Sequence, residues 1–556
     1  MKRLSVLLAF LILAALACQG GPATPASTPT RASGLLTPTP TATSGSPSGG
    51  QPRTGGVFRR LWAEPPTLDP HLAQDTASAA IVVEVFSGLV AISPDLQIIP
   101  DIAKGWEIAD GGTTYTFHLR DDVKFHSGKR VTARDFKYSL ERATDPRTQS
   151  PVAQTYLGDI VGAKEHLRGQ ANAVSGVQVL DDYTLRIKVD APKVYILAKL
   201  TYPTAFVVDQ ENIEKLGSRW TQQPNGTGPF KVKEYRIGDI VTLVRNDGYY
   251  RGAPYLDSVQ FILRGGNSMA MYENGEIDLA GVSLDALARV EDPTSPLHKE
   301  LVTAPPQFSL SYIGFSTTTP PFDDIKVRQA MTYAINKELI ASTVLEGLDV
   351  PAYSILPPGF PGYNDQLQGI CFDAVKAKAL LRESKYDPAK GNFPKSVVLT
   401  VPGTGGSAGL DLEVVIEAWR QTLGIEVEIR QVEWATYLQE LNRRSMQLYA
   451  GLGWQADYPD PENFLDLLFH SQSEINHGAY ANARVDRLLE QARVEQDVQR
   501  RIQLYQEAER LITEEAFIIP LWYTGEQKAL VKPYVKGYRF TPMILPKLKD
   551  VWIDKG

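Results

Sequence analysis

The chain has 556 residues, of which 43% are hydrophobic and 22% are charged, the balance of a soluble protein with several domain-sized parts. Its formal net charge is −7, and no run of lysine and arginine occurs in it. Surfaces that bind nucleic acids carry such basic patches, so we predict no nucleic-acid partner.

An export signal is predicted at the N-terminus. Two basic residues precede an apolar stretch of about a dozen residues, which is too short to cross a bilayer comfortably as a helix. The stretch ends at Ala17 and Cys18, a pair that resembles the lipobox of bacterial lipoproteins, although that pattern usually has leucine where Ala15 stands. The resemblance implies a signal peptide at 1–17 and a lipid on Cys18. The alternative is a signal peptide cut near Ala17, with Cys18 incidental.

A tether is predicted to follow the signal. Residues 19–50 are mostly glycine, proline, alanine, serine and threonine. Such a segment lacks the apolar surface that would offset the loss of chain entropy on folding, so we assign 18–54 to a disordered tether. Cys371 is the only other cysteine, and no intramolecular disulfide is expected if Cys18 carries lipid.

The first regular elements are predicted from periodicity and capping. Apolar and polar side chains alternate at 114–120, the pattern of a half-buried strand. Asp323 and Asp324 precede apolar residues at helical spacing. Acidic residues favour a helix N-terminus through capping and the helix dipole, so a helix is predicted to begin there.

An α/β unit and a helical pair are predicted further along. An apolar helical face spans 412–423, Gly424 ends it, and an alternating strand follows at 425–429. Helix, glycine and strand in this order are typical of α/β proteins. The amphipathic pattern at 485–516 predicts two helices.

The sequence contains no pattern typical of a catalytic or metal site. Its seven histidines show no metal-ligand spacing, and it lacks a Walker loop, a dinucleotide-binding glycine motif and a nucleophile elbow. We therefore predict no catalytic residue, no metal and no cofactor.

Ten short motifs in a fixed order carry a family resemblance over 55–556. The chain resembles bacterial solute-binding proteins of the oligopeptide and dipeptide class, family 5. The motifs are Glu64–Pro70, Phe86–Leu89, Ala103–Glu107, Tyr115–Arg120, Val123–Gly128, Thr227–Phe230, Gly275–Asp278, Pro320–Asp324, Val327–Ala330 and Gly453–Tyr458.

The resemblance implies an α/β protein with the two-lobed, type II periplasmic-binding-protein fold and an additional domain (cluster C-like). Lobe I is expected to be discontinuous, formed by 55–90, 211–308 and 524–556. The additional domain is expected at 91–210 and lobe II at 309–523. Ligand is expected in the cleft between the lobes.

The same resemblance implies the ligand-binding residues. Asp457 is expected to pair with the α-amino group of a peptide, which all peptides share. The other expected ligand-binding residues are Gly453, Trp454 and Gln455 along the peptide, Trp434 at a side-chain pocket, Glu64 on a strand edge, and Tyr156, Tyr312 and Tyr523. The Pro65-Pro66 pair departs from the relatives and removes backbone donors beside Glu64.

The function implied is that of an extracytoplasmic receptor that delivers oligopeptides to the permease subunits of an ABC importer, which a separate ATPase drives. We expect a lipid-anchored monomer on the outer face of the cytoplasmic membrane or in the periplasm. Two alternatives stay open. The same transporter class includes binders of nickel complexes, haem, sugars and opines, and a lipoprotein with a chaperone or hydrolase role is a more distant possibility.

Overall fold

The computed structural model describes residues 51–403, 405 and 407–555. The predicted signal peptide at 1–17, the lipidation site Cys18 and nearly all of the tether lie outside the described residues. From Pro52 onward the described chain forms one compact unit.

A first seven-stranded sheet is assembled from distant parts of the chain. Its central strand, Val57–Leu61, runs parallel to both neighbours, and Phe58 from this strand is fully buried. In spatial order the strands are Leu301–Ala304, Gln527–Val531, Leu279–Gly281, Val57–Leu61, Ser258–Ile262, Ile240–Arg245 and Phe230–Arg236.

A second seven-stranded sheet uses the later part of the chain. Two of its strands, Ser309–Phe315 and Ile518–Thr524, pair antiparallel, and their side chains are mostly buried. In spatial order the strands are Asp349–Pro351, Ile518–Thr524, Ser309–Phe315, Leu448–Tyr449, Val397–Pro402 and Val427–Val432, with Trp454–Gln455 added beside Ser309–Phe315.

A separate four-stranded antiparallel sheet is formed by residues that lie between Val57–Leu61 and Phe230–Arg236 in the sequence. Its order is Ala103–Ala109, Thr114–Leu119, Thr184–Lys188 and Val177–Asp181. Two small pairs complete the strands, Val90–Ile92 with Ile98–Pro100 and Val535–Lys536 with Trp552–Ile553.

Sixteen α-helices of the described residues pack around these sheets. They are Thr76–Val85, Ala133–Thr144, Ala153–Leu157, Ala163–Leu167, Ile196–Lys199, Gln210–Leu216, Ser268–Glu273, Leu284–Glu291, Ile325–Tyr333, Lys337–Thr343, Ala374–Glu383, Leu410–Leu423, Trp434–Asn442, Glu462–Phe469, Ala483–Val494 and Val498–Glu514. Short 3-10 turns occur at Asp110–Gly112, Pro203–Ala205, Gly217–Gln222, Pro296–Glu300 and Pro388–Lys390.

The elements predicted from periodicity are confirmed. The strand Thr114–Leu119 buries Phe117 completely, and the helix Ile325–Tyr333 is capped by Asp324, which accepts a hydrogen bond from the Lys326 amide at 2.9 Å. The helix before Gly424 ends there because that glycine adopts a φ of 68°. The pattern at 485–516 forms two helices, and the predicted strand after Gly424 begins two residues later than expected, at Val427.

The chain passes between the two large sheets at two short connections. Residues 305–308 join Ala304 of the first sheet to Ser309 of the second, and 525–526 join Thr524 back to Gln527. Because these crossings are only a few residues long, the two sheets are held together at one edge and a cleft can form beside it. We call these two crossings, 305–308 and 525–526, the hinge, because they are short segments between two packed sheets.

None of the helices in the described part of the chain combines the length and apolar character needed to cross a bilayer. Within the same residues, no group of three or more histidine, cysteine, aspartate or glutamate side chains is arranged to hold a metal ion.

Candidate functional site

A cavity of about 300 Å³ lies where three parts of the described chain meet. The start of helix Thr76–Val85 forms one wall, and helix Ala153–Leu157 with residues 201–203 forms another. The third wall comes from the second sheet and from helix Trp434–Asn442. A volume of this size is at the lower end of the range for small-ligand sites.

The short strand Trp454–Gln455 presents an open edge at this cavity. Trp454 lies opposite Leu310 and Gln455 opposite Ser309, and no other described strand pairs with it. Gly453 precedes it at a φ of 66°, and a Cβ there would lie 3.1 Å from the Leu310 carbonyl oxygen. Glycine is therefore favoured where the strand turns into the cavity, and the unpaired edge can accept an extended ligand.

Asp457 follows this strand and is anchored on one side only. Its Oδ2 accepts hydrogen bonds from the Tyr156 hydroxyl at 2.5 Å and from the Asn463 side-chain amide at 3.1 Å. The Asp457 amide donates to Asn463 Oδ1 at 3.0 Å, which fixes the backbone. No described residue donates to Oδ1. The carboxyl group is thus oriented, and one of its oxygens keeps its capacity to accept.

Burial raises the pKa of Asp457 to about 6, against the lowering effect of the hydrogen bonds from Tyr156 and Asn463. Burial without a cationic neighbour disfavours the charged form of a carboxyl group. A cationic ligand group beside it would supply that neighbour.

Asp75 is the second carboxyl group of the cavity. It caps helix Thr76–Val85 by accepting from the Ser78 amide at 3.0 Å and from the Ser78 hydroxyl at 2.8 Å. The Trp434 side chain, from the opposite wall, also approaches it. Burial raises the pKa of Asp75 as well. This contact joins two walls of the cavity.

The charge of the cavity is one-sided. Among the described lining residues, Asp75 and Asp457 are acidic and none is lysine or arginine. His477 is the one histidine among the described lining residues. Burial lowers its pKa to about 3, so it is uncharged at neutral pH. The cavity therefore favours a cation over an anion.

Aromatic rings pack against Tyr156 and Trp434, two residues of the cavity lining. Tyr156 stacks on Tyr202 with ring centroids 3.7 Å apart and contacts Tyr458 edge-on at 6.4 Å. Trp434 stacks on Tyr437 at 5.8 Å. These ring contacts restrict the side-chain motion of Tyr156 and Trp434.

The structure brings together six of the nine residues expected at the ligand. The cavity lining contains Gly453, Trp454, Gln455, Asp457, Trp434 and Tyr156.

The other three lie outside that lining, contrary to expectation. Glu64 accepts from the Tyr235 hydroxyl at 2.6 Å and from the Gly238 amide at 2.7 Å, so its carboxylate is engaged on the first sheet. Tyr312 is buried in the core against Tyr449. Tyr523 is buried too, with its hydroxyl bonded to the Ser354 carbonyl at 2.8 Å.

Several lining residues were not predicted from the sequence. They are Gln74, Asp75, Thr76, Tyr202, Asn442, His477 and Ile544. The Asp75 position carries a helix-capping signal, since aspartate is favoured at the residue that precedes a helix. That signal locates the helix but gives no indication that its N-terminus faces a cavity.

Comparisons with known proteins agree on one group. The family model described as bacterial extracellular solute-binding proteins, family 5, middle region, matches residues 97–476.

Two curated relatives from Escherichia coli strain K12 cover most of the chain. The probable deoxycholate-binding periplasmic protein YgiS is 34% identical over 498 residues, 87% of this chain and 90% of the relative. The periplasmic oligopeptide-binding protein OppA is 30% identical over 501 residues, 87% of this chain and 89% of the relative.

Solved structures of the Escherichia coli murein tripeptide binding protein MppA share the fold. One gives a TM-score of 0.81 at 28% identity and covers 91% of this chain and 99% of that one. The unliganded open form of MppA gives a TM-score of 0.64, with 90% of this chain and 97% of that one covered. The arrangement described here is therefore nearer to the first of these structures than to the open form.

Proposed function

The chain belongs to the bacterial extracellular solute-binding proteins of family 5, with their two-lobed α/β fold and additional domain, and from this premise we propose that it binds oligopeptides in the cavity beside Asp457. It serves in this proposal as the extracytoplasmic receptor of an ABC importer. Asp457 takes the α-amino group of the peptide, and the open edge of Trp454–Gln455 takes its backbone.

The observation that carries this proposal is the half-satisfied carboxyl group of Asp457 in a cavity without a basic side chain. An α-amino group is a cation that every peptide with a free N-terminus has. An extended backbone is the second shared feature, and an unpaired strand edge binds it without reading side chains. Both features suit a receptor for peptides of mixed sequence.

The similarity to YgiS raises a bile-acid ligand as the second candidate. Deoxycholate is itself a carboxylate, and it would meet Asp75 and Asp457 in this cavity with no described lysine or arginine to pair with it. Like charges brought together in a partly desolvated site repel each other strongly. The charge of the lining thus favours the peptide.

The boundaries of the parts follow as a further element of the proposal. Lobe I comprises 55–90, 211–308 and 524–556, the additional domain 91–210, and lobe II 309–523. The first sheet, the four-stranded sheet and the second sheet support this division, because their strands fall into those ranges apart from Thr524 at the hinge.

The partners and location belong to the same proposal. Closure on a ligand presents both lobes to permease subunits, while a separate ATPase supplies energy and the chain performs no covalent chemistry. A lipid on Cys18 anchors the monomeric receptor to the outer face of the cytoplasmic membrane.

A double-mutant cycle tests the role of Asp457. Titration calorimetry compares wild-type protein and Asp457→Ala, each with a free and an N-acetylated peptide. Breaking one half of a buried ion pair costs about 3–5 kcal/mol, so either single change weakens binding roughly a hundredfold to a few thousandfold. The combined change costs much less than the sum, because both remove the same interaction.

Glu440→Ala is the matched control, since it removes a carboxylate from helix Trp434–Asn442 at a position outside the cavity lining. It leaves both affinities unchanged. If acetylated peptides bind the wild-type protein as tightly as free ones, Asp457 does not hold an amine and a non-peptide ligand becomes the better assignment.

A further inference from the structure

A buried lysine, Lys199, ends helix Ile196–Lys199, and its side chain is only 5% exposed. Its Nζ donates to the Thr155 carbonyl at 2.9 Å and to Asp159 Oδ2 at 3.2 Å. The same Nζ contacts Glu462 Oε1 at 2.8 Å. A lysine ammonium group has three N–H donors, so these three acceptors match them. The ammonium group therefore ties Thr155 and Asp159 to Glu462, which lies far later in the chain.

The residues that follow two of these acceptors are the two side-chain donors to Asp457. Tyr156 follows Thr155 in the same helix, and Asn463 follows Glu462 at the start of another. Both side chains donate to Asp457 Oδ2, at 2.5 and 3.1 Å. A residue in a helix moves with the turn that contains it, so the buried ammonium group restricts both donors at once.

Two ring contacts join Tyr156 more closely to the same cluster. Tyr202 stands three residues after Lys199 and stacks on the Tyr156 ring, with centroids 3.7 Å apart. Tyr458 meets that ring edge-on at 6.4 Å, and its hydroxyl donates to Glu462. These contacts limit rotation of the Tyr156 side chain. The direction in which its hydroxyl points therefore depends on the residues around the lysine.

The charges around Lys199 are balanced within the cluster. Asp159 also contacts Lys193 at 2.5 Å. Asp466 accepts from Nε and Nη2 of Arg493 at 2.7 and 2.8 Å. A buried charge is tolerated when it is paired and hydrogen-bonded, and each of these charges has a partner. The cluster is thus suited to holding parts of the protein together.

Lys199 stands outside the lining of the Asp457 cavity. It borders a separate small cavity of about 120 Å³, and the two cavities share no described lining residue. Any effect of Lys199 on a ligand in the Asp457 cavity must therefore pass through the residues between them.

We propose that Lys199 is a positioning residue of the ligand site. Through its contacts to Thr155 and Glu462, it fixes the two donors that orient the Asp457 carboxyl group toward a peptide amine. This deepens the proposed function and rests on it. Groups that contact a ligand are held by a surrounding layer of packed and hydrogen-bonded residues, and a group oriented beforehand loses less freedom on binding. Lys199 therefore affects the affinity for a free amine more than the affinity for the rest of the peptide.

The test uses oligoalanines of two to six residues, free and N-acetylated, titrated calorimetrically against the full-length protein. The double variant Lys199→Met/Glu462→Gln removes one charge of each sign and keeps an acceptor for Tyr458. The ratio of the dissociation constants, acetylated over free, falls roughly tenfold in the variant, the effect of weakening about one charge-assisted hydrogen bond. A change in lobe closure alone would weaken both peptides alike and leave the ratio unchanged.

The pH dependence of the same ratio is a second readout. Burial raises the pKa of Asp457 to about 6, and the hydrogen bonds from Tyr156 and Asn463 act against that rise. Loosening these bonds raises the pKa further. Because the amine needs the charged carboxylate, the ratio is lost as the pH falls through this pKa, and in the double variant the loss occurs at a higher pH. Free and acetylated peptides meet the other titratable groups of the lining alike, which are Asp75, His477, Tyr156 and Tyr202.

Arg142→Met/Asp69→Asn is the matched control. It removes another buried ion pair between distant parts of the chain, in which Arg142 Nη2 lies 2.6 Å from Asp69 Oδ2. Neither residue lines the Asp457 cavity, so this variant keeps the wild-type ratio and its pH dependence. If the Lys199 double variant fails to fold, Glu462→Gln alone keeps the side-chain shape and lowers the ratio in the same direction.

An unchanged ratio at every pH in a folded variant would overturn the role of Lys199, while sensitivity of the wild-type protein to N-acetylation would leave the proposed function intact. If the wild-type protein binds free and acetylated peptides equally, or binds no peptide of the series, both proposals fall.

Discussion

At the scale of single residues, the carboxyl group of Asp457, the proposed binding group, lowers the stability of the folded protein. Its carboxyl group is oriented by Tyr156 and Asn463 yet lacks a cation, and burial raises its pKa from 3.8 to about 6. Folding therefore disfavours the charged form of this group relative to the unfolded chain, whereas binding of an amine requires that form. Sites that bind charged ligands often reduce stability in this way.

The neutral variant Asp457→Asn is expected to stabilise the ligand-free protein at neutral pH. A folded pKa above the unfolded value means that wild-type stability is complete below about pH 4 and is lost as the pH rises through about 6. The gain of the variant is thus absent at pH 4 and full above pH 6, of the order of 1–3 kcal/mol. Calorimetric unfolding between pH 4 and 8 measures it.

The same variant loses peptide affinity, so stability and binding change in opposite directions. Glu440→Gln provides the control, since that carboxylate lies outside the cavity lining. A stability difference that does not vary with pH would contradict the assignment of the shift to Asp457.

At the scale of elements, a buried ion cluster joins the two sides of the Asp457 cavity. Lys199, at the end of helix Ile196–Lys199, contacts Glu462 at 2.8 Å and Asp159 at 3.2 Å, and both lysine and glutamate are nearly inaccessible to solvent. Helix Glu462–Phe469, where Glu462 lies, also carries Asn463, which orients Asp457. The cluster thus connects the region of the four-stranded sheet to the region of the second sheet.

Loss of this cross-connection is expected to favour a more open arrangement. The double variant Lys199→Met/Glu462→Gln removes both charges of the pair, which avoids leaving Glu462 charged and unpaired. Small-angle scattering should give a larger radius of gyration for the ligand-free variant than for the wild-type protein, and peptide affinity should fall by about tenfold or more, since closure then lacks one stabilising contact.

Lys193→Met is a matched control. Lys193 is as inaccessible as Lys199, but its partners Asp159 and Asp190 both lie in the region of the four-stranded sheet. This variant should keep the wild-type radius of gyration. Equal dimensions and equal affinity for the double variant and the wild-type protein would show that the cluster does not stabilise closure.

At the scale of the whole molecule, two short crossings connect the large sheets and a predicted tether precedes them. The fold matches one MppA structure at a TM-score of 0.81 and the open form of that protein at 0.64. The predicted tether with a lipid at its end would keep the proposed receptor near its membrane partner.

The substitution Cys18→Ser is therefore expected to release the protein from the membrane fraction or to leave its signal peptide uncleaved. Stable anchoring needs more than one acyl chain, which a diacylated cysteine supplies. Fractionation and mass spectrometry of the mature N-terminus give the readout. Cys371→Ser, the same change at the other cysteine, should leave the protein in the membrane fraction. Wild-type protein that is soluble and cut at another residue would contradict lipidation.

Individual helices and strands could be predicted from the sequence because the interactions that form them join residues close together in the chain. Alternating apolar and polar residues predicted the strand Thr114–Leu119. The carboxylate of Asp324 marks the start of the helix at Ile325, and Gly424, with its positive φ, marks the end of the helix before it. Each depends on neighbours a few residues apart, whose spacing the sequence states directly. The order of short motifs then identified the family and its fold, while the role of Asp457 stays a prediction.

The cavity itself depends on tertiary structure, because it is built from residues that the sequence keeps far apart. Tyr156 reaches Asp457 across 301 positions, and Asp75 and Trp434 approach each other from different walls of the cavity. Glu64 was expected at the ligand, yet Tyr235 and Gly238 engage its carboxylate instead. Whether a polar side chain faces a ligand or a neighbouring strand is decided by which distant groups lie within hydrogen-bonding distance, and only the folded chain sets those distances.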